Sequence, residues 1–276
     1  MVASRNGGPP MPYDENHVSR SEGRRRMPEE IPPPPWRRPK KAPPRVPLTQ
    51  DRIVVTALGI LDAEGLDALS MRRLAQELKT GHASLYAHVG NRDELLDLVF
   101  DIVLTEVEVP EPEPGRWAEQ VKEMCRSLRR MFLAHRDLAR IAIDRVPLGP
   151  NGMVGMERTM NLLRSGGLHD ELAAYGGDLL STFVTAEALE QSSRNPGTEQ
   201  GREQAGVFAD QLHGYLKSLP ATSFPNLVHL AGPITSLDSD RRFELGLEII
   251  IAGLLAGAGE AADDQVRTAG SPPAES

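Results

Sequence analysis

The 276-residue sequence predicts an all-α fold, with an N-terminal three-helix unit of the helix-turn-helix type ahead of a larger helical body. Three observations predict it. Apolar residues recur at helical spacing from about residue 48 to 258, without the sustained two-residue alternation that strands require. Two short amphipathic segments flank Lys79-Thr80-Gly81, and Pro110, Pro112 and Pro114 mark a linker after the first hundred residues. The expected organisation is a Pro/Arg-rich disordered tail over 1–47, a helix-turn-helix domain over 48–107, a helical body over 116–260 and a second disordered tail over 261–276.

The first segment holds twelve of the 23 prolines and few aliphatic residues, too little apolar area to offset chain entropy. It carries ten Lys/Arg against five acids, which leaves 21 basic and 34 acidic residues of the total 31 and 39 in 48–276. The net charge of −8 therefore belongs to the body, and a chain that meets nucleic acid with one small end tolerates an acidic remainder. Arg24–Arg26 and Arg37–Lys41 are either a solvated tail or an arm adding sequence-independent phosphate contacts.

A helix opens at Leu48 or Thr49, buries Ile53, Val54, Ala57, Leu58 and Leu61, and stops at Gly65. Ser70 caps the next helix, whose stripe is Met71, Leu74, Ala75 and Leu78. Gly81 is the residue expected to take a positive φ in the following turn. In His82–Val89, Leu85 and Val89 face inward while His82, Ser84, Ala87 and His88 look outward, with Tyr86 at the boundary. A pair of short helices on such a turn presents its second helix to a DNA major groove. Asn91 caps a helix from Arg92 to about Val107, with Glu94 placed for a capping box.

In the body the expected helices are Arg116–His135, Asp137–Asp144, Met153–Ser165, Asp170–Ser193, Glu203–Ser218 and Asp238–Gly257. Breaks fall at Pro147–Gly152, Gly166-Gly167, Asn195-Pro196-Gly197 and Pro220–Pro233. Two of these helices carry broad apolar stripes. Leu179 and Phe183 lie on one; Phe243, Leu247, Ile250, Ile251 and Leu254 lie on the other. Either both helices are central to one core, or they form a two-fold four-helix interface; the width of the stripes favours the interface, with those seven residues in it.

Catalytic signatures are missing: there is no P-loop, no dinucleotide fingerprint, no His-Glu-x-x-His and no nucleophile elbow. Glu187 and Glu190 are spaced as a solvated helix edge. Cys125 is the single cysteine, set among apolar residues as an inert thiol. No enzyme activity, cofactor or metal is expected. With no apolar leader at the N-terminus and no run long enough to span a bilayer, the expected location is the cytoplasm. The rival to a DNA-binding regulator is a helical protein–protein adaptor, whose broad stripes and basic tail would look the same.

The string Leu69-Ser70-Met71-Arg72-Arg73-Leu74-Ala75, followed by Ser84-Leu85-Tyr86-Ala87-His88-Val89 and Asn91-Arg92-Asp93-Glu94-Leu95-Leu96, resembles the TetR family of transcriptional repressors. A weaker resemblance to tetracycline-repressor C-terminal domains rests on His135-Arg136-Asp137, Gly166-Gly167-Leu168 and Phe243-Glu244-Leu245-Gly246-Leu247. The resemblance implies a homodimer that binds a palindromic double-stranded operator and releases it when a small effector fills the body. It implies DNA contacts from Ser70, Met71, Arg72, Thr80, Gly81, His82, Ser84, Tyr86, His88 and Arg92, with Arg72 reaching a base. Lys79 stands where the family usually has Gly. Met124 and Ala142 stand where the tetracycline repressors place an Asn and a magnesium-binding His, so a magnesium–tetracycline complex is not the expected effector. Met124, Leu128, Met131, His135, Ile141, Met156, Met160 and Phe183 are the expected walls of an apolar cavity.

Overall fold

The computed structural model describes residues 47–194 and 199–269; the tail before Pro47, the Asn195–Gly197 break and the end of the second tail lie outside them. The described residues form helices and no strand. The order is α1 (Gln50–Glu64), α2 (Met71–Glu77), α3 (His82–Tyr86), α4 (Arg92–Val103), a 3₁₀ turn (Leu104–Glu106), α5 (Trp117–Ala134), α6 (Leu138–Ala142), α7 (Pro150–Ser165), α8 (Asp170–Arg194), α9 (Glu199–Ser218), α10 (Pro225–His229), α11 (Ala231–Thr235) and α12 (Ser239–Ala269).

Side chains punctuate the head as its sequence requires. Thr49 accepts the Arg52 N–H at 3.2 Å and Ser70 the Arg73 N–H at 3.1 Å, caps each worth about 1 kcal/mol. Asn91 accepts the Glu94 N–H at 2.8 Å, and the Glu94 carboxylate reaches back to the Gly90 N–H at 2.7 Å, one residue further than an ordinary capping box. The turn after α2 corrects the expectation for Gly81. That glycine has φ −81°, and Lys79 is the left-handed residue, at φ 52°. Thr80 N–H bonds Ala75 O and Lys79 N–H bonds Gln76 O, the pair of bonds that closes a Schellman motif. The turn geometry is therefore the usual one, held by a lysine at a cost of about 1–2 kcal/mol. Ile53, Ala57, Leu61, Leu74, Leu85, Leu95 and Val99 close the core of α1–α4. Truncating Ile53, Leu61, Leu74, Leu85 or Leu95 to Ala would cost about 2–5 kcal/mol.

In the body α8 is central, packed by α5, α7 and α12. Phe183 of α8 stacks on Phe243 of α12 with ring centroids 5.7 Å apart. Arg129 of α5 lies 4.6 Å over the same Phe243 ring while donating to Asp240 and Gln191, each at 2.7 Å. A Cβ on Gly246 would collide with the Phe183 ring, so the close approach of α8 and α12 requires glycine there. The proline linker is a strap pinned to α5: Glu108 N–H donates to Ser127 Oγ, and the Gln120 amide bonds the backbone of Glu111 and Glu113. Pro220–Pro233, expected as a break, holds α10 and the start of α11, and both helices pack on α9. Each is five residues, too short for an apolar stripe to register. The last helix continues to Ala269 rather than ending near Gly257.

Candidate DNA-binding surface and ligand cavity

The head presents an exposed face made of Arg72 on α2, Gly81 ahead of α3, and His82, Ser84, Tyr86 and His88 on and just after it, with Thr80 half-buried at its edge. Leu85 and Val89 point the other way and are buried, so the outward set is fixed by the inward pair. Three of the expected contact residues are occupied otherwise. The Met71 side chain is buried in the head core. The Ser70 hydroxyl caps α2. Arg92 donates from Nε to Leu69 O at 2.9 Å and from Nη2 to Leu66 O at 3.0 Å, which ties the start of α4 to the α1–α2 turn. Arg73, not foreseen, pairs with Glu64 at 2.6 Å and Glu77 at 2.8 Å. The Arg73 guanidinium holds the Glu64 carboxyl below its ordinary range.

The body encloses an open cavity of about 700 Å³ between the end of α4, α5, the segment after α6, α7 and α8. Met124, Leu128, Met156 and Met160 line it, and Ala142 lines it too. The other four expected wall residues do not. Met131 and Ile141 are buried outside the cavity, Phe183 turns to Phe243, and His135 faces the head. The sequence signal for the rest was the run of small residues on one face of α8: Ala174, Ser181 and Thr185 line the cavity with short side chains, and Gly177 lets Met160 of α7 pack closely. Gly155 leaves open space on α7. Hydroxyls of Thr159, Ser181, Thr182 and Thr185 supply the polar minority such sites use to orient a ligand. Cys125 also lines the cavity; burial pushes its pKa up to about 12, so at neutral pH the thiol stays protonated and unreactive.

Head and body meet at two joints. The α5–α6 turn grips the α1–α2 turn. His135 lies between Asp62 and Glu106 at 3.0 and 3.2 Å, and Asp137 accepts the Leu66 N–H at 2.9 Å. Asp137 has φ 58°, and a Cβ on Gly65 (φ 87°) would come within 2.9 Å of its carboxylate, so both left-handed residues serve this contact. At the second joint, Arg145 reaches α4, bonding Asp97 at 2.8 Å and Asp93 at 3.4 Å. Buried Asp101 of α4 accepts the Gly152 N–H at 2.9 Å at the N-terminus of α7, where a negative charge meets the positive end of the helix.

The expected dimer face is corrected by packing. Phe243, Leu247, Ile251 and Leu254 are buried within the chain, and Phe183 and Ile250 are half-buried. Of the expected set only Leu179 is exposed. The large apolar residues facing outward on these two helices are Tyr175 and Leu179 on α8, with Leu245, Ile249 and Leu255 on α12.

An exposed reading helix on a head that is bonded to a cavity-bearing body defines a ligand-responsive helix-turn-helix DNA-binding protein. Comparison with known proteins gives its family. The model of bacterial regulatory proteins of the tetR family matches residues 53–99, and that of the tetracyclin repressor-like C-terminal domain matches 109–257. The chain is 34% identical over 220 residues to the HTH-type transcriptional repressor DrrR1 of Streptomyces coeruleorubidus, covering 79% of this chain and 81% of that one. It is 31% identical over 211 residues to the class C tetracycline repressor of Escherichia coli, covering 75% and 90%. Apo ActR of Streptomyces coelicolor superposes with TM-score 0.72 at 95% identity, covering 78% of this chain and 100% of that one. ActR in complex with actinorhodin superposes with TM-score 0.75 at 97% identity, covering 78% and 99%. The chain belongs to the TetR family and is a DNA-binding repressor that responds to a small molecule and binds its operator as a dimer. Its relatives are regulators that act by binding. Among the described residues, no helix is long and apolar enough to cross a membrane, and no group of three or more His, Cys, Asp or Glu is placed to hold a metal.

Proposed function

We propose that the 48–107 domain reads a palindromic operator, that the 116–260 domain dimerises and binds the effector, and that the effector is a small, largely apolar molecule with actinorhodin the first candidate. The cavity of about 700 Å³ with methionine and leucine walls carries this reading. The complex of actinorhodin with ActR, a protein 97% identical over the matched region, supports the choice of molecule. Arg72, exposed at the start of α2, is assigned to a base edge, where a bidentate contact to guanine is worth about 1–3 kcal/mol. Tyr86 and His88 are assigned to phosphates, the commoner kind of contact. Half-sites are expected about one helical turn of DNA apart, or a near multiple.

A mobility-shift titration on the DNA flanking the protein's own gene, at two salt concentrations, tests this. Specific binding should survive competitor DNA and be released by actinorhodin. Arg72→Ala should bind specific and competitor DNA more nearly alike, losing about 5–100-fold in discrimination while its thermal unfolding is unchanged. Binding that ignores actinorhodin contradicts the effector assignment, and an unchanged footprint in Arg72→Ala contradicts the base contact.

A further inference from the structure

We infer that Arg145 is the positioning residue through which an occupied cavity acts on the DNA-binding head, while the 135–140 turn is a fixed pivot. The inference rests on the reading of the cavity as the effector site. Arg145 belongs to two structures at once. Its segment, Ala142–Pro147, forms one wall of the cavity, while its guanidinium points away from it into the head. Nε donates to Asp97 at 2.8 Å, Nη2 to Asp93 at 3.4 Å, and Nη1 to Ile141 O at 3.1 Å. Both carboxylates belong to the first half of α4, directly after the Asn91 cap, and the same helix turn is bonded through Arg92 to the α1–α2 turn. A displacement of the wall therefore reaches the reading face through one side chain and one turn of helix.

The two joints differ in what holds them. The wall segment lies outside the helices between α6 and α7, with Val146 and Leu148 exposed, so little packing fixes its position. The grip of Arg145 on α4 is side-chain ion pairing across water-accessible atoms, the kind of bond a shift of about 1 Å breaks, whereas the buried Asp101–Gly152 bond of the same joint lies beyond this segment. The 135–140 turn instead holds a backbone N–H with a carboxylate, sandwiches His135 between two acids, and adds Arg140 to Asp67 at 3.5 Å. It also contributes no side chain to the cavity. A ligand pressing on Ala142–Pro147 meets the Arg145 ion pairs directly and the 135–140 turn not at all.

Operator affinity with and without actinorhodin tests this, each variant measured at an actinorhodin concentration that saturates it by its own binding curve. Arg145→Met keeps most of the aliphatic stem and removes the guanidinium. The ratio of the two operator affinities should fall at least about fivefold from the unmodified protein's value. Asp97→Asn should lower the ratio too, and the double variant Arg145→Met/Asp97→Asn should go little further, because the residues act as one contact. Asp137→Gly, which keeps the positive φ and removes the carboxylate, should weaken operator binding equally in both conditions and leave the ratio alone. Full release of the operator by actinorhodin in Arg145→Met overturns the inference, as does a ratio that falls only in Asp137→Gly. If the unmodified protein does not bind actinorhodin, the effector assignment fails and this inference falls with it.

Discussion

Leu179→Glu and Ile249→Glu, introduced together, should convert the dimer to a monomer at micromolar concentration and abolish stable operator binding. Leu179 is 50% exposed and Ile249 65% exposed in the single chain, although both lie on helices whose opposite faces are buried. On α8 the outward row is Tyr175, Leu179, Thr182 and Ala186; on α12 it is Leu245, Ile249, Ala252 and Ala256. Both rows step by four, three and four residues, so each is one continuous stripe, and the two helices pack side by side. A contiguous apolar face of this kind marks an interaction site. In a two-fold dimer each patch meets its own copy, so every added glutamate is buried twice and faces like charge. Separating the heads removes the gain of binding two half-sites at once, which is about 10²–10⁴-fold. Sedimentation velocity and a mobility shift read both effects. A persisting dimer would place the interface on another face. Phe183 and Ile250 are unsuitable for this test, because they pack within the chain and a charge there damages the fold.

Gly155→Trp should make a repressor that no longer responds. Gly155 lines the cavity, and a Cβ there meets nothing within 4 Å, so a large side chain enters the open volume without displacing backbone. Replacing a glycine inside α7 also favours the helix slightly. The indole occupies space that a ligand needs among Met124, Met156 and Met160, and actinorhodin affinity should fall about 100-fold, or about 2.7 kcal/mol. Operator binding should persist, since the substitution removes neither Arg145 nor Asp137, the side chains that join body to head. Calorimetry with actinorhodin and a mobility shift measure the two quantities separately. Undiminished actinorhodin binding would move the effector site out of this cavity.

The head was legible in the sequence because its signals are local. Caps at Thr49, Ser70 and Asn91, and apolar spacing that turns Leu85 and Val89 inward, fix both the helices and the exposed face. The error there came from a choice between neighbouring turn residues. Lys79 rather than Gly81 is left-handed. The body was harder because a wide apolar stripe does not say which neighbour covers it. Phe243, Leu247, Ile251 and Leu254 are covered by this chain, and the next row out on the same helices is exposed. The cavity was half legible for the same reason. Periodicity marks side chains that are buried, whereas Gly155 and Ser181 matter through the volume they leave empty. The joints were not visible at all: Leu66 to Asp137 spans 71 residues and Asp97 to Arg145 spans 48, and no helical period connects them.

Coupling between cavity and operator is reciprocal, so it is read most directly from the ligand side. Actinorhodin is titrated by calorimetry into the free dimer and into the dimer bound to its operator. Its affinity for the operator-bound dimer should be weaker by the same factor by which it lowers operator affinity, at least about tenfold. Equal affinities for the two forms would mean that filling the cavity does nothing to the reading face.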